Sequence, residues 1–287
     1  MERISLKAPA KINLSLRVLG KRPDGYHEIE SIMQAIDLYD EISLEKSDII
    51  ELTCNDKSLP SDDKNLAFRA ASILQGSCYF PGVKIHLEKN IPYGAGLGGG
   101  SSDAAFVLRG LCQLYGLKLK PEELAELAAR LGSDVPFFLT RGQAIARGRG
   151  ELLTSISLPT NYKIVLISPS VAISTADVYG ALKKSLTTES VVPLLSTKID
   201  FSKFIRHSEK FRNDLEDVVF QKYSYLVDLK RSLLGAGAFY SSMTGSGSSI
   251  FGLFMPESMI PIELENLKER NNKVSYCRPI LLPSLGL

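Results

Sequence analysis

Pro92-Tyr93-Gly94-Ala95-Gly96-Leu97-Gly98-Gly99-Gly100-Ser101-Ser102-Asp103 sets five glycines within seven positions, then two serines and an aspartate. Glycine gives up more backbone freedom on folding than any other residue, so such a run needs a physical reason. Close approach of the backbone to an anion is a good one. Beyond the run, Ala105, Leu108, Leu111, Cys112 and Tyr115 recur at helical spacing, and Gly116 supplies a C-terminal stop. The orphan N–H groups at the start of that helix would point at phosphate oxygens, aided by the helix dipole. The bland alternative is a flexible loop capped by Ser101 or Ser102.

Outward from the loop, residues 10–18 alternate cleanly. Ile12, Leu14, Leu16 and Val18 share one face, and Lys11, Asn13, Ser15 and Arg17 share the other, which predicts a half-buried strand with a polar, solvated side. Lys21-Arg22-Pro23-Asp24-Gly25 reads as a turn leading into Tyr26-His27-Glu28. Further strands are expected at Asp40–Leu44, Val83–Leu87 and Lys163–Ile167. A helix starts at Pro121, carries Glu122 and Glu123 in its first turn and stops at Gly132. Ser133-Asp134-Val135-Pro136 would open another short helix, with Asp134 as its cap. Residues 185–202 read as a polar connection. Near the end, glycine-rich segments at 235–238 and 243–249 flank a short segment and are followed by apolar Ile250 to Phe254, which suggests strand, tight glycine turn, strand. Strands and helices mix without regular βαβ alternation, so the fold class is α+β with two lobes, divided as 1–158 and 159–287.

Bulk properties narrow the function. The 287 residues are 44% hydrophobic and 23% charged, the composition of a globular protein. Lysine and arginine number 34 against 32 aspartates and glutamates, so no broad basic footprint marks a nucleic-acid partner. Cys54, Cys78, Cys112 and Cys277 are far apart, as are His27, His86 and His207, which fits reduced thiols and gives no metal-site signature. The chain shows no apolar run long enough to span a membrane and no export segment. The expectation is a cytoplasmic enzyme without a membrane or nucleic-acid partner.

Three kinds of phosphate site compete for the glycine loop. A P-loop requires a lysine that is missing here. Gly94, Gly96 and Gly99 satisfy the dinucleotide spacing, but Pro92 intervenes after the strand and Glu122 and Glu123 lie in a helix. No H-R-D or D-F-G segment supports a protein kinase.

Pro92-x-x-x-Gly96-Leu97-Gly98-Gly99-Gly100-Ser101-Ser102-Asp103-Ala104-Ala105 resembles the second motif of the GHMP kinase superfamily, named for galactose, homoserine, mevalonate and phosphomevalonate. Pro9-Ala10-Lys11-Ile12-Asn13-Leu14 resembles its first motif and Met243-Thr244-Gly245-Ser246-Gly247-Ser248-Ser249 its third, in the right order. Within the superfamily, Ala8–Leu14, Arg22-Pro23-Asp24-Gly25-Tyr26-His27 and Gly132–Phe138 resemble the branch that phosphorylates a cytidine-diphosphate sugar alcohol in the non-mevalonate route to isoprenoids.

The resemblance implies a ribosomal-S5-like N-terminal lobe and a ferredoxin-like C-terminal lobe with the active site between them. It implies transfer from ATP to the 2-hydroxyl of that sugar alcohol, with Mg2+ held mainly through nucleotide phosphates and no protein metal cage. Carried over residue by residue, Asp134 takes the hydroxyl proton, and Lys11 pairs with it and polarises the hydroxyl. Residues Pro92, Tyr93, Gly94, Ala95, Gly96, Leu97, Gly98, Gly99, Gly100, Ser101 and Ser102, with Asn65, would bind ATP. Asn13 would hydrogen-bond the substrate, and Tyr26, His27 and Tyr179 would hold its cytosine. Ser102 would assist in holding the magnesium. Arg141, Arg147 and Arg149 are read as a solvated loop that stands near phosphates at most. Kinases for homoserine, mevalonate or a sugar are disfavoured because those substrates carry no base for Tyr26 and His27. A nicotinamide-dependent oxidoreductase and a binding module without turnover complete the rival readings.

Overall fold

The structure, a computed structural model, describes residues 2–182 and 211–283, so the connection expected at 185–202 and His207 lie outside the described residues. The first sheet is built on a long hairpin, β1 (Arg3–Lys21) and β2 (His27–Ser47). Around β2 run β3 (Ile50–Cys54), β4 (Gly82–Glu88), β5 (Gln143–Gly148) and β6 (Leu152–Ser155), in the order β3-β4-β2-β5-β6 with β1 also on β2. The two ends of β2 serve different partners: residues 41–47 pair with β4, and 29–34 pair with β5. Helices α1 (Leu66–Gln75), α2 (Gly99–Tyr115) and α3 (Pro121–Leu131) cover this sheet. Their apolar faces, including Leu74, Leu108, Leu111 and Leu124, form one core with Ile42, Leu44 and Ile85. Each fully buried aliphatic side chain contributes about 1.5–3 kcal/mol. At Gly110 a side chain would meet Leu44 and Leu6, so α2 lies close on the hairpin that carries Lys11.

The second sheet contains β7 (Lys163–Pro169), β8 (Tyr240–Met243), β9 (Ile250–Phe254) and β10 (Asn272–Cys277) in the antiparallel order β10-β7-β9-β8. Between β7 and β8 the described chain contains α4 (Thr175–Ala181), α5 (Glu216–Lys222) and α6 (Tyr225–Gly235). A 3-10 helix, Ile262–Arg270, crosses from β9 to β10. That strand order and those two crossovers make the second lobe ferredoxin-like, on a fold that is α+β with two lobes.

The strand expected to be half-buried is buried on both sides. Ala10, Ile12 and Leu14 pack with Ile164, Leu166, Phe251 and Leu253 of the second sheet, so β1 belongs to both lobes. On the other side Lys11 and Asn13 are only 3% and 4% exposed. The glycine loop and the 244–249 turn cover them: Lys11 N–H donates to Leu97 O at 3.0 Å, and Asn13 N–H donates to Thr244 Oγ1 at 3.0 Å. Alternation announces a strand, yet it cannot tell a solvated polar face from one lining a covered site. A register shift between Asn13 and Ser15 leaves Leu14 extra in the ladder, a device common beside active sites.

Candidate active site

The glycine loop ends at an open helix start. Gly98 is the N-cap of α2 with φ 71°, no side chain caps it, and no acidic residue stands in the first turn. The first closing bond is Ser102 N–H to Gly98 O at 2.8 Å, which leaves the amides of Gly99, Gly100 and Ser101 without an intrahelical acceptor. Ser101 and Ser102 therefore lie inside the helix instead of capping it. Glycine is required at two points by space as well as by backbone. A Cβ on Gly96 would run into the carbonyl oxygen of Thr244, and one on Gly98 would sit 3.1 Å from Lys11 Cγ and 3.2 Å from Phe138 Cζ. The loop is thus threaded between the 244–249 turn and the Lys11 side chain. Thr244 Oγ1 donates to Gly96 O at 3.1 Å, and Ser249 N–H donates to Ala95 O at 3.2 Å. Asn213 holds the turn from behind, donating to Met243 O at 2.8 Å and Gly245 O at 2.7 Å.

A cleft of about 970 Å³ runs along this assembly. Its order follows from contacts. Leu66, next to Asn65, adjoins Gly100, the loop passes to Lys11 and Asp134, Gly150 lies against Asp134, and Arg149 reaches Tyr26. Residues 92–101, Asn13, His27 and Tyr179 also line it, so one cleft gathers nearly every residue expected in the site. Ser102 is the exception: it is fully buried and does not line the cleft.

Lys11 is the fixed point. Its Nζ donates to Asn13 Oδ1 at 2.6 Å and Gly96 O at 3.1 Å, and lies 3.3 Å from Asp134 Oδ2. The lysine side chain is 4% exposed and that of Asp134 is 36% exposed, so a buried cation presents a carboxylate that opens to the cleft. Asn13 Nδ2 in turn donates to Ser31 Oγ at 2.7 Å, and Ser31 Oγ to Ser15 O at 2.7 Å. Both ends of the Asn13 amide are held by protein. Asp134 does not cap a helix. The short 3-10 helix Pro136–Leu139 has Val135 at its cap position with no side-chain bond, which leaves the Asp134 carboxylate for Lys11.

Near Asp134 stands an aromatic group. The rings of His27 and Tyr179 are 5.2 Å apart and tilted 32°. Burial and the Lys21 charge hold His27 below the usual histidine value, so the imidazole is neutral near pH 7, with one donor and one acceptor. Burial, then the Asp134 charge, push the Tyr179 phenol up, so its O–H stays a donor. Tyr26 is 55% exposed, with the Arg149 guanidinium 4.8 Å above its ring. The three arginines part company here. Arg141 does not line the cleft, Arg147 pairs with Glu30 at 2.9–3.0 Å, and only Arg149 lines it. Asn65 caps α1, accepting from Ala67 N–H at 2.9 Å and donating to Pro60 O at 2.8 Å, while also lining the cleft.

One charged cluster escaped the sequence reading. Lys89 Nζ donates to both Asp40 Oδ2 and Asp103 Oδ2, all three groups being buried, and Asp40 Oδ1 accepts the N–H groups of Asn90 at 2.6 Å and Ile91 at 2.8 Å. It ties β2, the exit of β4 and the start of α2 together beneath the glycine loop. Burial, joined by the Asp40 charge and opposed by that of Lys89, pushes Asp103 up to about 7. Asp103 stood in the quoted loop, but nothing in the spacing joined it to an aspartate 63 positions earlier.

Comparison with known proteins agrees with this geometry. The chain matches the GHMP kinases N terminal domain over residues 65–142 and the GHMP kinases C terminal domain over 194–273. It is 44% identical over 261 residues to a 4-diphosphocytidyl-2-C-methyl-D-erythritol kinase of Geobacter sp. (strain M21), covering 90% of this chain and 92% of that one. A kinase of the same name from Syntrophomonas wolfei is 41% identical over 276 residues, 94% and 96% of the two chains. Among solved structures, a 4-(cytidine 5'-diphospho)-2C-methyl-D-erythritol kinase superposes with TM-score 0.77 at 32% identity, covering 96% of this chain and 99% of that one. Homoserine kinase of Cytophaga hutchinsonii shares the fold, with TM-score 0.68 at 20% identity over 98% and 96%. With three motifs in one cleft and relatives matched over nine-tenths of their length, the chain belongs to the 4-diphosphocytidyl-2-C-methyl-D-erythritol kinase family of the GHMP kinases.

Proposed function

We propose that this cleft transfers the γ-phosphoryl group of ATP to the 2-hydroxyl of 4-diphosphocytidyl-2-C-methyl-D-erythritol, a step toward isoprenoid precursors. The observation that carries the reading is the Lys11–Asp134 pair, set between an open helix start and the aromatic group of Tyr26, His27 and Tyr179. A hydroxyl lying against Asp134 would pass its proton to the free carboxylate oxygen as its oxygen attacks phosphorus. The bond to the bridging oxygen then breaks, and ADP leaves. Lys11 stabilises the negative charge that develops at this place, and its three acceptors keep it from drifting. The amides of Gly99, Gly100 and Ser101 receive phosphate oxygens. Asn13 acts through Lys11, whose Nζ it holds.

The residues fit a magnesium ion that arrives on the nucleotide. Mg2+ commonly sits on nucleotide phosphates with few protein ligands. Ser101, the serine of the first helical turn that lines the cleft, would help hold it in place of the buried Ser102. Bound there, the ion would neutralise phosphate charge. All four cysteines are free, which supports a reducing cytoplasm as the compartment. We place the lobe division at 158/159, between the last strand of the first sheet at Ser155 and the first of the second at Lys163.

The test of the whole reading is ADP release measured with the cytidine-diphosphate sugar alcohol, homoserine and mevalonate as competing acceptors. Turnover with the first alone supports it, and turnover only with another acceptor refutes it. Two variants separate the subsites. Gly98→Val is expected to weaken ATP binding at least ~10-fold, because a branched side chain meets both a φ of 71° and the Lys11 stem. Unaltered calorimetric affinity for a non-hydrolysable ATP analogue would remove the loop from the ATP site. Tyr26→Ala is expected to weaken the cytidine ligand roughly 5–150-fold, the value of one stacked base, and to leave the ATP analogue unchanged. Loss for the analogue alone would mean that the two nucleotide pockets are reversed.

A further inference from the structure

We infer that Arg149 binds the diphosphate of the cytidine substrate, a role that rests on the function proposed above. A substrate whose base sits at Tyr26, His27 and Tyr179 and whose hydroxyl reaches Asp134 must carry its diphosphate across the space between them. That diphosphate is doubly charged and passes close to the Asp134 carboxylate, so the passage needs a cation. Of the described lysines and arginines that line the cleft, Lys11 is committed to Asp134 and two other acceptors, and Lys89 to two buried aspartates. Lys64 stands beside Asn65, at the opposite end. Lys21 pairs across the hairpin with His27, at the base end of the path.

Arg149 stands where the need is. Its guanidinium lies 4.8 Å from the centre of the Tyr26 ring. Its neighbour Gly150 abuts the reacting end, since a Cβ there would be 3.7 Å from Asp134 Oδ1 and 3.6 Å from Ser133 Cβ. Arg149 and Gly150 together therefore span the distance from Tyr26 to the catalytic carboxylate. Its charge is only partly engaged. Among the described residues the carboxylate within 4 Å is Glu151, 3.6 Å from Nε, and Glu151 is itself held by the Arg149 amide at 2.7 Å. Asp24, whose carboxylate feels the Arg149 charge, and Lys21 also stand near this end of the cleft, with Arg22 paired to Asp24 and Glu28. A guanidinium stacked on a ring keeps its edge N–H groups in the planar fork that matches phosphate oxygens.

The experiment is calorimetric binding of cytidine, cytidine monophosphate and cytidine diphosphate to the parent protein, Arg149→Met and Arg149→Lys. Methionine keeps an apolar cover on Tyr26 and removes the charge, while lysine keeps the charge and removes the fork. Arg149→Met is expected to lower diphosphate affinity about 10–100-fold and cytidine affinity less than twofold, with Arg149→Lys between the two for the diphosphate. Equal losses for cytidine and the diphosphate would show that Arg149 merely covers Tyr26, and would overturn the inference. So would unchanged diphosphate binding in a folded Arg149→Met protein. If the parent protein binds none of the three, the cytidine reading itself fails, a result distinct from parent binding that ignores Arg149.

Discussion

Asp134→Asn protein is expected to fold, to bind ATP and the cytidine substrate, and to turn over about 10²–10⁴ times more slowly than its parent. The carboxylate has no capping role to lose, is 36% exposed, and is replaced by an amide of the same shape. What disappears is the acceptor for the hydroxyl proton and the charge paired with Lys11. The Lys11 Nζ keeps Asn13 Oδ1 and Gly96 O as partners, so the site should hold its geometry. For that reason Asp134→Asn isolates chemistry better than a change at Lys11, whose removal would strip donors from two buried acceptors and confuse a structural loss with a catalytic one. Coupled ADP release, with thermal melting as the folding control, makes the measurement. Turnover within threefold of the parent in a folded protein would take Asp134 out of the proton transfer.

Local signals made much of this fold legible. The helix start at Pro121 and the stops at Gly116 and Gly132 fall where the residues announced them, because caps and breakers act through the backbone of their own few residues. The glycine loop was legible for the same reason. Less visible was anything set by distant chain. Strand β2 extends from His27 to Ser47, well past the apolar piece at Asp40–Leu44, because its two halves satisfy different neighbours. The polar face of β1 looked solvated until the loop and the 244–249 turn came to cover it. In the candidate site, motif resemblance brought Lys11 and Asp134 together, and 123 positions of chain separate them. No motif covered the Lys89 cluster, whose members stand on three elements and meet only after folding. Of the three arginines read together as loop, distance alone separates Arg149 from Arg147, since Glu30 claims the latter.

Lys89→Met is expected to lower stability by about 3–5 kcal/mol at pH 8, because it leaves two buried carboxylates side by side with no cation. The pH dependence gives this expectation a sign. Asp103 rises from an ordinary 3.8 to about 7 in the folded chain, so between those values the folded state holds more proton than the unfolded one. This group therefore makes the parent less stable as pH rises from about 4 to about 7, and its effect is constant above. Removing Lys89 takes away the charge that pulls Asp103 down, so the folded value climbs further and the loss continues to grow beyond pH 7. The difference between parent and variant should thus be larger at pH 8 than at pH 5.5, where protonation relieves the repulsion. A second change tests whether the three groups act as a unit: Lys89→Met with Asp103→Asn should be more stable at pH 8 than Lys89→Met alone, since one carboxylate then remains and Asp40 keeps the amides of Asn90 and Ile91. Those amides lead into the glycine loop, so any variant that stays folded should also show a raised KM for ATP. Urea unfolding at the two pH values makes the comparison. A loss below about 1 kcal/mol, or one equal at both pH values, would mean that the cluster is not a charge-balanced anchor beneath the loop.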